Sequence, residues 1–181
     1  MRIKTKNKKP LWKIEKDFIS YAVPVIQDGR LLEADSFLQH AETTRYEHCV
    51  AVAYHSLMLA EKLQIPCDKK SLVTGALLHD YFFYDWHESD ITHMYHGFTH
   101  PKAALKNALC DFDLNPLEQN IILRHMFPVT PIPPSNIEGL IICFTDKLCG
   151  LAETLHINKT PLPDCADIWN AIKTDSETPA N

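Results

Sequence analysis

Glycine is scarce in this chain, with five in 181 residues. Long β-meanders turn on glycine, so the scarcity argues against them, and no segment shows a sustained run of strand-like alternation. The six cysteines, at positions 49, 67, 110, 143, 149 and 165, include no Cys-x-x-Cys pair. That removes the usual spacing of zinc-finger and redox sites. Several of them sit in apolar helical runs, where a free thiol behaves as a small core residue, and a reducing cytoplasm is the expected location. Long apolar runs are missing too. The stretch from Phe18 to Ile26 is broken by Ser20 and Pro24 and is far too short to span a bilayer. No apolar segment precedes Glu15 and Asp17, so a signal peptide is not expected.

What the chain does have is a charge asymmetry. Residues 1–16 carry seven basic side chains against Glu15, leaving 11 basic and 22 acidic residues in the body, a net of −11. So acidic a body repels nucleic acid while tolerating bound divalent cations. The basic start reads as a solvated, frayed terminus. The length suits a single domain with a real core, expected over 17–159 and followed by a loosely held tail at 160–181, where the apolar period fades into Pro, Asp and Thr.

Helix starts are well marked. Thr44–Glu47, Asn115–Glu118 and Ser135–Glu138 each match the capping box, in which the first and fourth residues satisfy one another's exposed amides. Asp68 can cap another helix, and Thr99 or His100 ahead of Pro101 can open a further one. Helical periodicity follows: Val50, Ala53, Leu57 and Ala60 form one stripe, Leu72, Ala76 and His79 another, and Leu140, Phe144, Leu148, Leu151 and Leu155 a third. Two more helices are expected over 11–26, bent or ended near Pro24, and over 30–39. The fold class is therefore all-α, with about seven helices.

Three features carry chemistry. Leu77-Leu78-His79-Asp80 ends an apolar helix with two adjacent metal-capable groups. His48 lies in the first turn of the helix capped by Thr44. Asp146 sits within a helix beside Ile142, Cys143, Cys149 and Gly150, a face that buries it. A buried carboxylate needs a partner, because an uncompensated buried charge costs about 3–5 kcal/mol. Lys147, about a hundred degrees around the helix, is expected to point elsewhere. A helix N-terminus or an Arg would serve, and so would a metal ion.

The order His48 … His79-Asp80 … Asp146 on successive helices resembles the HD superfamily of metal-dependent phosphohydrolases, from about Thr43 to Leu155. The resemblance implies a helical bundle with these four residues around one divalent metal. His100 and His125 stand where two-metal members have extra ligands, so it further implies a second metal with Asp80 bridging. Iron or manganese is favoured for such a donor set, with zinc, nickel or magnesium compatible. His96 is a rival to His100 for that role.

The implied reaction is hydrolysis of a small phosphorylated substrate, nucleotide-like in character, by a metal-activated water. Asp80, Lys147 and His87 are the candidate catalytic groups, and Arg124 and Lys147 the candidate phosphate binders. The loop 81–98, with three histidines and several aromatics, reads equally as a lid or as a polar surface loop. His40, His55 and His156 read as ordinary. Two alternatives remain open: a di-iron oxygenase on the same scaffold, and a non-catalytic nucleotide-binding regulatory domain. No membrane partner is expected, and a homodimer is open.

Overall fold

The computed structural model describes residues 9–40, 42–84 and 96–157, apart from the side chains at 96 and 97. In chain order they form α1 (Leu11–Asp28), a 3-10 helix (Leu31–Ser36), β1 (Leu38–His40), β2 (Thr43–Thr44), α2 (Arg45–Leu63), α3 (Lys69–Leu78), α4 (His96–Asp111), α5 (Pro116–Arg124) and α6 (Ile137–Thr154). The two short strands pair antiparallel, Leu38 with Thr44 and His40 with Thr43. Everything else regular among the described residues is helical, as the all-α expectation requires. None of these helices is long and apolar enough to cross a membrane.

Local chemistry sets the helix starts. The Thr44 hydroxyl accepts from the Glu47 amide at 3.2 Å, and the Glu47 carboxylate accepts from the Thr44 amide at 3.0 Å. Asn115 and Glu118 repeat the exchange at 3.0 and 2.9 Å, with Pro116 in the first turn. Asp68 caps α3 through the Ser71 amide at 3.1 Å. The third expected box does not form. Asn136, not Ser135, caps α6 by accepting from the Gly139 amide at 2.7 Å. The helix therefore starts one residue late, and Glu138 turns inward to accept from the Asp68 amide at 2.8 Å.

At the centre lies α3, buried all round from Ser71 to Leu78 and packed against α1, α2, α4, α5 and α6. Gly75 lets α5 approach it. A Cβ there would lie 2.6 Å from Cγ2 of Ile121, well inside van der Waals contact. The histidines that follow α3 and α5, His79 and His125, are thereby brought together edge to face, with ring centroids 4.9 Å apart.

Other expectations need correction. Residues 30–39 are not one helix but a 3-10 helix and a strand, because the chain must extend to meet α2, where the Phe37 carbonyl accepts from the Arg45 amide at 2.8 Å. Helix α1 does not end near Pro24 but continues to Asp28, with Pro24 exposed on its solvent side. Helix α4 begins at His96, placing Pro101 inside it rather than at its start. The Leu140 to Leu155 stripe is not core, since its five residues are 44–58% exposed. The inward face of α6 is Ile141, Ile142, Thr145 and Cys149. The basic start is held down from Lys9 onward, by Asp17 and by Glu61 at 2.7 Å. His87, with the rest of 85–95, residues 1–8 and the tail from 158 lie outside the described residues, as do the expectations placed on them.

Candidate metal centre

Five helices converge where α2 and α4 begin, α3 and α5 end, and α6 passes its midpoint. His48 is fully buried in the first turn of α2, with Nε2 3.2 Å from Oδ1 of Asp146 on α6. His79, just beyond α3, is also fully buried and points Nε2 at the same Asp146 oxygen from 3.7 Å. The Asp146 side chain is 14% exposed, so the sequence-based expectation of burial holds closely. The ligand-type atoms of His48, His79 and Asp146 lie within 4.8 Å of one another, and those of His79, Asp80 and His125 form a second such group.

Asp80 stands between the two groups. Its Oδ2 is 3.6 Å from Nε2 of His79, while Oδ1 is 3.2 Å from Nε2 of His100 and 3.5 Å from Nε2 of His125. His100 and His125 face one another through Nε2 atoms 2.9 Å apart. Thus all six predicted ligands, His48, His79, Asp80, His100, His125 and Asp146, come together in one place.

Burial and charge compete at each group. Burial would lower the His48 pKa, but hydrogen bonds to Asp146 and Glu153 raise it to about 10. Burial also opposes protonation of His79, where Asp80 prevails and lifts the pKa well above the usual value. For His125, burial and then the neighbouring His79 and His100 push it down to about 3, so its ring is neutral. Burial works to raise the two carboxylates. The histidines overcome it, His79 and His100 foremost for Asp80 and His48 and His79 for Asp146, leaving both carboxylates well below the usual range.

The donor set fits a divalent cation. Nε2 of His79 and Oδ1 of Asp80 are buried without a hydrogen-bond partner, which is costly unless something positive satisfies them. Nδ1 of His79 donates to the Ala76 carbonyl at 2.7 Å, and Nδ1 of His125 to that of Ile122 at 2.8 Å. Both rings therefore turn Nε2 to the centre, the orientation a metal-ligating histidine needs; the neutral His125 offers its lone pair there directly, and His79 would do so once a cation takes the place of its Nε2 proton.

Several participants escape a reading of the sequence. Gln39 on β1 is buried, donates to Oδ2 of Asp80 and accepts from Nε of Arg45 at 3.0 Å. Arg45 is itself fully buried, donating to the Phe82 carbonyl at 2.8 Å with its guanidinium 3.8 Å from the Phe82 ring centroid. A basic residue in a first turn ordinarily faces water, so nothing local marked it. His40 is not ordinary. Its ring lies edge-on to His48, with centroids 5.3 Å apart. Glu153 accepts from Nδ1 of His48 at 2.9 Å. Its seven-residue spacing from Asp146, two turns on one face, was the available signal.

Lys147 does not point away as expected. Its amine donates to the His125 carbonyl at 3.1 Å and lies 3.6 Å from Oδ2 of Asp146, at the edge of the centre. Arg124 closes α5 beside His125, and its guanidinium pairs with no acid among the described residues. His55 is set apart from the cluster, its ring against Tyr54 and its pKa lowered by burial and by Lys62.

No curated protein and no solved structure matches this chain. The family model for the HD domain, a family made up mostly of metal-dependent hydrolases with some non-catalytic members, matches residues 45–151. That span covers more than half of the chain and all six predicted ligands, and the protein belongs to the HD domain family.

Proposed function

We propose that this protein hydrolyses small phosphate esters, nucleotide-like in character, at a centre of two divalent cations. One would be held by His48, His79, Asp80 and Asp146, and the other by His100, His125 and Asp80. The observation that carries this reading is the Asp80 carboxylate, whose Oδ2 faces His79 while its Oδ1 faces His100 and His125. Carboxylate oxygens can each serve a separate ion. Iron or manganese suits so imidazole-rich a set, with zinc, nickel or magnesium as compatible ions.

Bound there, a cation pair supplies Lewis acidity toward phosphoryl oxygens and lowers the pKa of a water toward neutrality. The chain's own side chains do the rest. Gln39, braced by Arg45, holds Oδ2 of Asp80 and so fixes the plane of the carboxylate. The Lys147 amine, anchored by the His125 carbonyl, is 37% exposed and available to a phosphate at the rim. Arg124 is the second candidate phosphate binder. His87 is the candidate proton donor to the leaving group.

The test is metal analysis with a phosphatase screen on protein purified without chelators, using nucleoside monophosphates and dinucleoside polyphosphates and following oxygen uptake in parallel. About two ions per chain with phosphate release is the expected result. Oxygen uptake without phosphate release would give the site to oxygenase chemistry. Neither metal nor turnover would leave a non-catalytic domain.

A further inference from the structure

We infer that Glu153 is a positioning residue that fixes the tautomer and aim of His48, an inference that rests on the metal-centre reading above. His79 and His125 each follow the last residue of a helix, where carbonyls lack intrahelical partners, and each ties down Nδ1 on the carbonyl three residues back. His48 has no such recourse. It sits in the first turn of α2, where the carbonyls behind it are taken by the helix ladder and only amides are spare. Its Nδ1 partner must come from elsewhere in the fold.

Helix α6 supplies it. Asp146 and Glu153 are two turns apart on one face and grip the same imidazole at both nitrogens, Nε2 at 3.2 Å and Nδ1 at 2.9 Å. The ring is fully buried and the Glu153 side chain is 7% exposed, so water does not compete. An ionised carboxylate can only accept. The Nδ1 proton therefore stays when a cation takes Nε2, which keeps the Nε2 lone pair aimed at the ion.

Gly150, between the two acids on this face, completes the device. A Cβ there would come within 2.9 Å of Nε2 of His40, so its absence lets the His40 ring close over His48 and Glu153. His40, His48 and Glu153 also have metal-ligand spacing among themselves. A cation there would need Nδ1 of His48 without its proton, and the experiment separates the two arrangements.

Two mild substitutions part reach from charge. Glu153→Gln keeps an acceptor at the same reach but loses the charge, while Glu153→Asp keeps the charge and falls short by about one carbon–carbon bond, ~1.5 Å. Zinc affinity is measured by chelator competition on the full chain, with circular dichroism as a folding control. Nitrogen-15 NMR of labelled histidine then reads which nitrogen of His48 carries the proton.

Glu153→Gln should bind zinc within about threefold of wild type with Nδ1 protonated, and Glu153→Asp about 10–100-fold more weakly, the usual cost of losing an outer-shell partner. Glu153→Asp binding as tightly as wild type would overturn the inference while leaving the metal centre standing. Zinc on Nδ1 of His48 would do the same. Failure of the wild type to bind any divalent metal would bring down both readings.

Discussion

The approach of α5 to α3 can be tested by adding a single methyl group at Gly75. In Gly75→Ala the new Cβ would meet Cγ2 of Ile121 at 2.6 Å and its Cβ and Cδ1 at 3.0 Å. Comfortable carbon contacts lie at about 3.5–4.0 Å, so the helices must part by on the order of 1 Å at this point. Ile121 is fully buried and β-branched, with no empty side to turn into. Overpacking of this kind costs about 1–3 kcal/mol, of which better helix propensity returns ~1 kcal/mol. A net loss of about 1 kcal/mol should lower the melting temperature by ~2–4 °C in a chain of this size. The effect on the site should be selective. His125 lies one turn beyond Ile121 and would move away from His79, whereas His48, His79 and Asp146 are carried by α2, α3 and α6. Metal analysis should show the second ion lost before the first. Urea unfolding of Gly75→Ala, Ile121→Ala and the double variant closes a cycle in which the double variant loses less than the sum by at least about 1 kcal/mol. Additive losses, or a Gly75→Ala protein stabilised by the full propensity gain, would refute the contact argument.

His125→Ala should keep the ion at His48 and Asp146, lose the other, and lower phosphate release by orders of magnitude. Metal content and turnover equal to wild type would make His125 purely structural. In the metal-free chain the His48 pKa of about 10 exceeds the ordinary 6.5, so its contribution to stability is complete below about pH 6.5 and is lost as pH rises toward 10. A cation must displace that proton from Nε2, so metal affinity should climb with pH across the same window, by up to about tenfold per unit, with proton release measurable by calorimetry. Constant affinity from pH 7 to 9 without proton release would contradict the His48–Asp146 pairing. Arg45→Met should destabilise the fold by about 1–3 kcal/mol in urea unfolding, because it strands the Gln39 amide and the Phe82 carbonyl in the interior. Unchanged stability would mean that the buried guanidinium holds nothing in place.

By itself the sequence determined what depends on near neighbours. Two capping boxes and the Asp68 cap form as written, because a cap joins residues three apart and needs no tertiary partner. The four-residue pattern of His48, His79, Asp80 and Asp146 was legible for a different reason. The resemblance to HD proteins rests on residue types and on their order along successive helices, and both are written in the chain. Tertiary structure decided what local periodicity leaves equal. Helix α6 is apolar around most of its girth, so period alone could not choose between the Leu140–Leu155 stripe and Ile141, Ile142 and Cys149. The choice followed the charges: the face that goes inward is the one that brings Asp146 and Glu153 to both nitrogens of His48. Gln39 and Arg45 belong to the same class. Each is an ordinary polar residue in sequence, and each gained its role only when β1 and the start of α2 were folded against Asp80, since a buried hydrogen bond is specified by both of its partners at once.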